Sequence, residues 1–277
     1  MIKIITDSSA YLRKQEAADL GVRVVPLCYY VKERNYCESF SDQNGNFIDL
    51  LKSTAKFSTS QPNPSAFLSC FEEELAAGNQ ALCLTISSRL SGTYSAAYMA
   101  ARQTESKQIA VVDSHLTAGG LYLLIKEAKK LIDAGWQLAD IARQLVVIRE
   151  RIRIAFSVDD ITPLRNSGRI GMVRMGVGTI LNVRPILVCQ EGGIVFDRTV
   201  HGDKEIIRAL TDKVPANAQD AVINYINNSK LTSDLYNVLL EKHPGLAIKL
   251  QKLGPVLGIH LGLKVVGLSI LVPETAK

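Results

Sequence analysis

The segment SSRLSGTY, from Ser87 to Tyr94, concentrates three serines, a threonine and a glycine directly after the apolar run ALCLTI. Hydroxyls at the end of a buried strand have four common uses: they cap a helix, bind phosphate, act as nucleophiles or hold another anion. A cap requires one residue, so the segment has more hydroxyls than a single helix start uses. Gly92 also lets a ligand approach backbone N–H groups, which favours a binding role.

A second hydroxyl cluster, FSTSQPNPS, occupies residues 57–65, just before a predicted helix that begins at a proline. Its two prolines stiffen the chain and disfavour helix before them. The segment is either an ordinary helix-entry loop or a fixed turn. In the second case it would present Ser58, Thr59 and Ser60 to the same ligand as the first cluster.

Ser91 is the candidate nucleophile, and nucleophilic chemistry would require a base within hydrogen-bond reach. The GxSxG pattern of strained nucleophile turns is absent from the chain. Among the four histidines, His260 in GPVLGIHLG is the best placed to reach a ligand from the second half of the chain. A serine-dependent acyl-transfer enzyme that uses Ser91 and His260 therefore remains the alternative, and no residue is assigned as catalytic.

Phosphate and metal motifs are also missing from the sequence. It contains no GxxxxGK[ST] loop, no HExxH and no calcium loop, and GVGTIL lacks the third glycine of a dinucleotide fingerprint. The five cysteines are scattered without CxxC spacing, which fits neither a zinc site nor a disulfide framework. We therefore expect no metal and no cofactor.

The remaining features favour a ligand that has a carboxylate and a flexible apolar chain. Neutral hydroxyls hold a carboxylate by hydrogen bonds while leaving it exposed enough to be passed on. The apolar segment MVRMGVGTILNV, residues 172–183, supplies methionine and aliphatic side chains. Such a lining suits a flexible chain better than a rigid ring.

The elements that must position these residues fall into two predicted domains. Residues 1–153 alternate helices with the short strands IKIIT, RVVPL, ALCLTI and QIAVVDS. This alternation indicates a Rossmann-like α/β domain with a parallel sheet. Three of the strands end in TDSS, SS and DS, and we expect these polar ends to be neighbours at the carboxyl edge of the sheet.

Residues 154–277 follow a different pattern. The runs RPILVCQ and IVFDRTV flank the turn EGG, which is typical of an antiparallel hairpin, and further strands are separated by helices. This half therefore predicts an α+β domain with a largely antiparallel sheet. The fold class is α/β with two domains.

Composition and charge exclude several classes of protein. The chain is 47% hydrophobic and 21% charged, as in ordinary folded proteins. It begins with no signal peptide pattern and has no apolar run of about 18 residues, so we expect a cytoplasmic protein. The net charge of +5 is not arranged as a basic stripe with aromatic residues, which argues against nucleic-acid binding.

Several motifs together resemble the DegV family of bacterial fatty-acid-binding proteins in order and spacing. They are TDSS, TSQPNPS, SSRLSGTY, VVDS, SGRI, RPIL and GPVLGIHLG. The match spans essentially the whole chain. Its most specific part is TSQP followed, about thirty residues later, by SSxLSGTY.

The resemblance implies a two-domain protein that buries one long-chain fatty acid and is not itself an enzyme. By the same resemblance, the chain is expected to be the binding subunit of a fatty acid kinase. It presents the carboxylate to a separate ATP-dependent kinase subunit and carries the acyl-phosphate product towards phospholipid synthesis. Transient contacts with a membrane or an acyltransferase follow from that role.

The resemblance also implies site residues. Thr59 and Ser91 match the hydroxyls that bind the carboxylate, and Arg169 and His260 match positions near it. With the residues of the two hydroxyl clusters, the predicted carboxylate site is Thr59, Ser91, Gly92 and His260, and Ser58, Ser60 and Arg169 are its supporting residues. One departure concerns the turn after the histidine, where family members often have HxGPG and this chain has HLGLK.

Overall fold

The computed structural model describes residues 1–32, 34–53, 56–170, 183–227 and 229–274. Within these ranges the chain forms a four-stranded, a six-stranded and a three-stranded sheet. The apolar segment at 172–183 lies outside the described residues except for Val183, where a strand begins.

The four-stranded sheet is entirely parallel, as the sequence predicts, with the order β2-β1-β6-β7. Its strands are β1 (Ile2–Asp7), β2 (Val22–Val25), β6 (Gln80–Thr85) and β7 (Ile109–Asp113). The expected meeting of the polar strand ends is confirmed by two hydrogen bonds. The Ile86 amide donates to Asp7 Oδ2 at 2.7 Å, and the Ser88 amide donates to Asp113 Oδ1 at 3.1 Å.

Helices cover both faces of the parallel sheet, because its strands are apolar on both sides. On one face Ile5 and Cys83 pack with the buried rings of Phe67 and Phe71. On the other face Ile4 and Leu82 join the largest core. The helices of this domain are α1 (Lys14–Leu20), α2 (Phe47–Leu51), α3 (Pro64–Ala76), α4 (Thr93–Gln103), α5 (Ala118–Asp133) and α6 (Leu138–Arg149).

The six-stranded sheet has the order β10-β9-β8-β13-β11-β12 and is antiparallel except for the parallel pair β11 and β12. Its strands are β8 (Ile152–Ser157), β9 (Val183–Gln190), β10 (Gly193–His201), β11 (Asp220–Tyr225), β12 (Ala247–Lys252) and β13 (Val266–Leu271). The predicted boundary between residues 153 and 154 falls within β8. The helices of this half are α7 (Thr162–Asn166), α8 (Gly202–Thr211), α9 (Lys230–Lys242) and α10 (Pro255–Leu261).

Helix α5 lies between the two large sheets and packs against strands of both. The glycines at its start make this approach possible. A Cβ added to Gly119 would lie 2.7 Å from both Asn224 Oδ1 and Val222 Cβ, and one added to Gly120 would lie 2.6 Å from Ile154 Cδ1. The sequence AGG at 118–120 therefore fixes the distance between the two halves of the molecule.

The three-stranded sheet is a feature that the sequence interpretation missed. It is antiparallel, with the order β4-β3-β5, and consists of β3 (Leu27–Val31), β4 (Arg34–Glu38) and β5 (Phe57–Ser60). The predicted strand RVVPL is in fact divided at Pro26, which separates β2 from β3. FSTS, interpreted as a loop or turn, is the strand β5, because it pairs with β3 from Phe57 to Ser60.

Among the described residues, no helix is both long and apolar enough to cross a membrane.

Candidate functional site

A cavity of about 330 Å³ lies between the six-stranded sheet and the segments that follow β6 and β7, and it is also bordered by α10 and the three-stranded sheet. Its volume falls at the lower end of the range for small-molecule sites, roughly 300–1,000 Å³. Most of its wall is aliphatic or aromatic. The apolar side chains of the wall are Leu27, Ile86, Leu90, Ile154, Phe156, Leu164, Ile194, Leu253, Val256, Leu257, Leu261 and Val265.

Predicted site residues from four separate segments also border this cavity. Strand β5 contributes Thr59 and Ser60, and the loop before α4 contributes Ser91 and Gly92. The turn after α7 and helix α10 contribute Arg169 and His260. The structure therefore brings together six of the seven site residues predicted from the sequence.

Thr59 and His260 are directly hydrogen-bonded. Thr59 Oγ1 lies 2.8 Å from His260 Nε2, although the two residues are 201 positions apart in sequence. Thr59 lies at this position because β5 pairs with β3. His260 lies beside it because α10 packs on the same three-stranded sheet through Val256. The contact joins the two halves of the chain at the edge of the cavity.

The imidazole of His260 is neutral at physiological pH. Burial lowers its pKa to about 4, and the positive charge of the nearby Arg169 lowers it in the same direction. A neutral imidazole has one N–H donor and one acceptor. The fixed positive charge at this end of the cavity therefore belongs to Arg169 and not to His260.

Arg169 is held in place by backbone carbonyls. Its Nε donates to the Leu90 carbonyl at 3.3 Å, and its Nη1 donates to the Ser167 carbonyl. Leu90 precedes Ser91, so this guanidinium is fastened to the same loop that carries the serine. A guanidinium has five donors, and the two bonds leave others available to an anion.

The loop of Ser91 and Gly92 is closely packed against the TSQP segment. Ser91 Oγ lies 2.8 Å from Thr93 Oγ1, and it also accepts a hydrogen bond from the Thr93 amide at 3.3 Å. A Cβ added to Gly92 would overlap with Gln61 Oε1. The Gln61 side chain thus lies directly against Gly92, and the two hydroxyl clusters of the sequence are in contact.

Ser58 is the predicted site residue that the structure does not bring to the cavity. It is exposed, and it lies between Phe57 and Thr59 on β5, where successive side chains point to opposite faces. The serines at the start of SSRLSGTY also lie outside the wall of the cavity. Ser87 Oγ donates to the Gly192 carbonyl at 2.7 Å and so ties the loop to the turn between β9 and β10.

Sequence reasoning missed three polar residues of the wall, namely Gln61, Thr117 and Asn224. The signal for Gln61 was its place inside the TSQP motif. The signal for Asn224 was an amide in the middle of the apolar strand AVINYI. Its Nδ2 donates to Gln251 Oε1 at 2.8 Å, and its Oδ1 accepts from the Gly119 amide at 3.2 Å.

The polar residues that the sequence predicted for the site are less buried than the apolar wall, whereas Thr117 and Asn224 are buried. Thr59, Ser91, Arg169 and His260 are half-buried and Gln61 is exposed, whereas most of the apolar residues are fully buried. The cavity therefore has a polar end near the surface and a closed apolar interior. In the part of the chain that the structure describes, no group of three or more histidine, cysteine or acidic side chains could hold a metal.

The fold and the cavity define a class of proteins in which a parallel-sheet domain and a largely antiparallel domain enclose an apolar cavity with a polar entrance. The chain belongs to the DegV family, since the model of this family, described as uncharacterised proteins, matches residues 1–272.

Individual relatives agree with this assignment. A DegV domain-containing protein from Halalkalibacterium halodurans is 30% identical over 275 residues, which cover 97% of each chain. A DegV lipid-binding protein from Thermotoga maritima has a TM-score of 0.89 at 25% identity, and the match covers 99% of both chains. A DegV family protein from Thermus thermophilus, described by its fatty acid binding, has a TM-score of 0.87 at 27% identity and is matched over 98% of this chain and 99% of its own.

Proposed function

We propose that this protein binds one long-chain fatty acid, with the carboxylate at the polar end of the cavity and the acyl chain in the apolar interior. The observation that carries the proposal is the single cavity wall in which Thr59, Ser91, Gly92, His260 and Arg169 border one end of an aliphatic interior. Fatty acid binding in DegV proteins of the same fold supports it.

The proposed carboxylate contacts follow from the available donors. Ser91 and Thr59 donate their hydroxyl protons to the carboxylate, and backbone N–H groups near Gly92 are within its reach. The Thr59 hydroxyl can donate its proton to the carboxylate only if its oxygen accepts the hydrogen bond from His260. In this arrangement the neutral imidazole carries its proton on Nε2. His260 then orients Thr59, and Arg169 supplies the opposite charge.

The acyl chain contributes affinity through burial. Each methylene removed from water contributes about 0.8 kcal/mol. Most of the interior consists of leucine, isoleucine, valine and phenylalanine side chains, and the buried Thr117 and Asn224 are its polar exceptions. The chain thus supplies most of the affinity, and the polar end supplies orientation.

The contacts of Ser91 favour a carrier over an acyl-transfer enzyme. Among the described residues, Ser91 Oγ is paired with Thr93 and the imidazole of His260 with Thr59, so no hydrogen bond links the serine to the histidine. A base with a pKa of about 4 is also a weak acceptor of a serine proton at neutral pH.

Native mass spectrometry of the freshly purified protein is expected to reveal a population heavier by the mass of one fatty acid. The apolar interior should retain the ligand through purification. Organic extraction should remove the excess mass, and gas chromatography should identify the acid. As a control, the delipidated protein should regain the mass when the acid is added back. An extract without fatty acid, together with a delipidated protein that fails to rebind one, would refute the proposal.

We further propose that the bound acid is presented to a separate ATP-dependent kinase subunit. The polar end of the cavity is half-buried, so a carboxylate held there lies within reach of a docked partner. The partner would transfer the γ-phosphoryl group of ATP to a carboxylate oxygen, giving an acyl-phosphate and ADP. This role requires a cytoplasmic location, where ATP is present, and later contact with a membrane or an acyltransferase that accepts the acyl group.

A coupled assay tests presentation separately from binding. With a bacterial fatty acid kinase subunit, ATP and Mg²⁺, the loaded protein is expected to support ADP release and acyl-phosphate formation, which hydroxylamine traps as a hydroxamate. The delipidated protein and the free acid at equal concentration serve as controls. Equal rates with free acid and with loaded protein would contradict presentation but leave binding intact.

A further inference from the structure

Two cysteines lie directly opposite each other on neighbouring strands of the three-stranded sheet. Cys28 on β3 is the register partner of Cys37 on β4. Their Sγ atoms are 3.4 Å apart. Neither thiol borders the cavity in the described part of the chain, so the cysteine pair is separate from the proposed fatty acid site.

Both thiols are on the outer face of this sheet. Along β3 the residues Leu27, Tyr29 and Val31 are buried, so Cys28, which alternates with them, is on the opposite face. The inner face is filled by the stacked rings of Tyr29 and Tyr36, whose centroids are 5.2 Å apart. Cys37 is exposed and Cys28 is half-buried, so small solutes reach the pair.

The backbone geometry permits a covalent bond between them. Opposed residues of an antiparallel pair have Cα atoms about 4.5–5.5 Å apart, which lies within the range of about 4.4–6.8 Å found for disulfides. The sulfur atoms must approach from 3.4 Å to about 2.05 Å, which side-chain rotation supplies without breaking the strand pairing.

We propose that Cys28 and Cys37 are a redox-active thiol pair that forms a reversible cross-strand disulfide on exposure to a peroxide. In the first step the Cys37 thiolate attacks hydrogen peroxide and, with uptake of one proton, gives a sulfenic acid and water. In the second step the Cys28 thiol displaces water from that sulfenic acid. Overall, two thiols and one peroxide give one disulfide and two waters, and a dithiol reductant reverses the bond.

The assignment of the two roles follows from the surroundings. Burial, together with the neighbouring Cys37, raises the pKa of Cys28 to about 11, so this thiol is almost entirely protonated at neutral pH. Cys37 is the exposed member and therefore meets the oxidant first. Cys28 acts as the resolving thiol.

The other three cysteines lack this arrangement. Cys83 is completely buried in β6, and burial raises the pKa of Cys189 to about 12. Cys70 is half-buried on α3. These three provide internal controls for selectivity.

Thiol trapping after mild peroxide treatment of the reduced full-length protein tests the inference. Intact mass after N-ethylmaleimide labelling under denaturing conditions should reveal three labelled thiols in place of five. Peptide mapping should recover one peptide pair joined through Cys28 and Cys37, and dithiothreitol should restore all five labels. Cys70→Ser should still form the bond.

The single variants Cys28→Ser and Cys37→Ser separate the two roles. Both should fold as the parent does, because both side chains lie on the outer face. Cys28→Ser should accumulate a sulfenic acid at Cys37, which dimedone traps. Cys37→Ser should react with hydrogen peroxide more slowly than the parent protein does. Five labels after peroxide, a bond through another cysteine, or a bond between two chains would each overturn the proposal, whatever the fatty acid experiments give.

Discussion

Replacing both Thr59 and Ser91 with alanine is expected to weaken fatty acid binding by about 100-fold or more. Each hydroxyl gives a hydrogen bond to a charged group, worth about 1.5–3 kcal/mol, so the two together account for about 3–6 kcal/mol. Since about 1.4 kcal/mol corresponds to a factor of ten in the dissociation constant, the expected loss exceeds two powers of ten. Titration calorimetry or displacement of a fluorescent fatty acid measures it.

Two neighbouring serines provide matched controls for this double variant. Ser58 is on the same strand as Thr59 but is exposed, and Ser88 is in the same loop as Ser91 but is also exposed. Ser58→Ala with Ser88→Ala should bind within about a factor of two of the parent protein, because neither side chain borders the cavity. If the two double variants bind equally well, the carboxylate does not lie at Thr59 and Ser91.

The double variant should also lose part of the stabilisation that the ligand confers. A ligand that binds only the folded state raises the free energy of unfolding in proportion to the logarithm of its concentration over the dissociation constant. At a fixed fatty acid concentration, the melting temperature of the double variant should therefore rise less than that of the parent. The rise is measured relative to the ligand-free melting temperature of each protein, because Thr59→Ala also removes the hydrogen bond to His260 Nε2.

The sequence predicted the parallel sheet well because hydrophobic pattern and alternation determine it. The strands IKIIT and ALCLTI are apolar on both faces, which is a pattern that only a doubly covered sheet explains. The meeting of the polar strand ends followed from topology alone. The antiparallel hairpin of β9 and β10 was equally visible from its turn.

The three-stranded sheet could not be predicted in the same way. Strand β5 is the four-residue segment FSTS, and β4 is the segment RNYCE, whose polar residues resemble those of a loop. Short strands of this kind are specified by their partners and by packing against α10, neither of which is a local property. Consequently Thr59 was recognised from the hydroxyl cluster and the family resemblance, but the strand that positions it was not predicted.

The set of residues that forms the cavity wall could not be predicted from the sequence pattern either. Residues of its wall come from both predicted domains, and the bond between Thr59 and His260 spans 201 positions. The reduced basicity of His260 depends on burial and on Arg169, which only the folded chain brings near it. Polar strand ends, by contrast, were given too much weight, since Thr6 and Ser114 are buried outside the cavity wall.

Glu38, which no sequence feature singled out, connects the three-stranded sheet to the helix that carries His260. It is completely buried at the end of β4. Its Oε2 accepts from the Val256 amide at 2.8 Å, in the first turn of α10, and its Oε1 accepts from Ser8 Oγ at 3.2 Å. Among the described residues no basic side chain is paired with it, so burial raises its pKa to about 8.

The contribution of Glu38 to the stability of the protein is therefore expected to fall as the pH rises from about 4.5 to about 8, whereas His260, whose pKa burial lowers from 6.5 to about 4, contributes in the opposite direction between those two values. Below 4.5 the carboxyl is protonated in both the folded and the unfolded chain. Between the two values the folded state binds more protons than the unfolded state, so each increase in pH favours unfolding. At 1.36 kcal/mol per pKa unit, the full effect amounts to about 5 kcal/mol. Urea denaturation between pH 5 and 9 measures it.

Glu38→Gln is the variant that isolates this group. Glutamine keeps the size of the side chain and the acceptor for the Val256 amide, but it does not ionise. The variant should equal the parent near pH 5 and exceed it in free energy of unfolding by several kcal/mol at pH 9. Asp7 and His260, whose pKa values are also shifted by burial, remain in both proteins, so the difference between them reports Glu38 and its interaction with Asp7.

Glu38→Ala distinguishes charge from hydrogen bonding. It removes the acceptor as well as the charge and leaves the Val256 amide buried without a partner, which costs about 1–3 kcal/mol at every pH. We expect this variant to be less stable than Glu38→Gln throughout and to bind fatty acid more weakly, because α10 carries Leu257, His260 and Leu261 into the cavity wall. If the free energies of unfolding of the parent and Glu38→Gln depend on pH in the same way, the buried carboxyl does not titrate in this range. Its protonation would then make no contribution to stability.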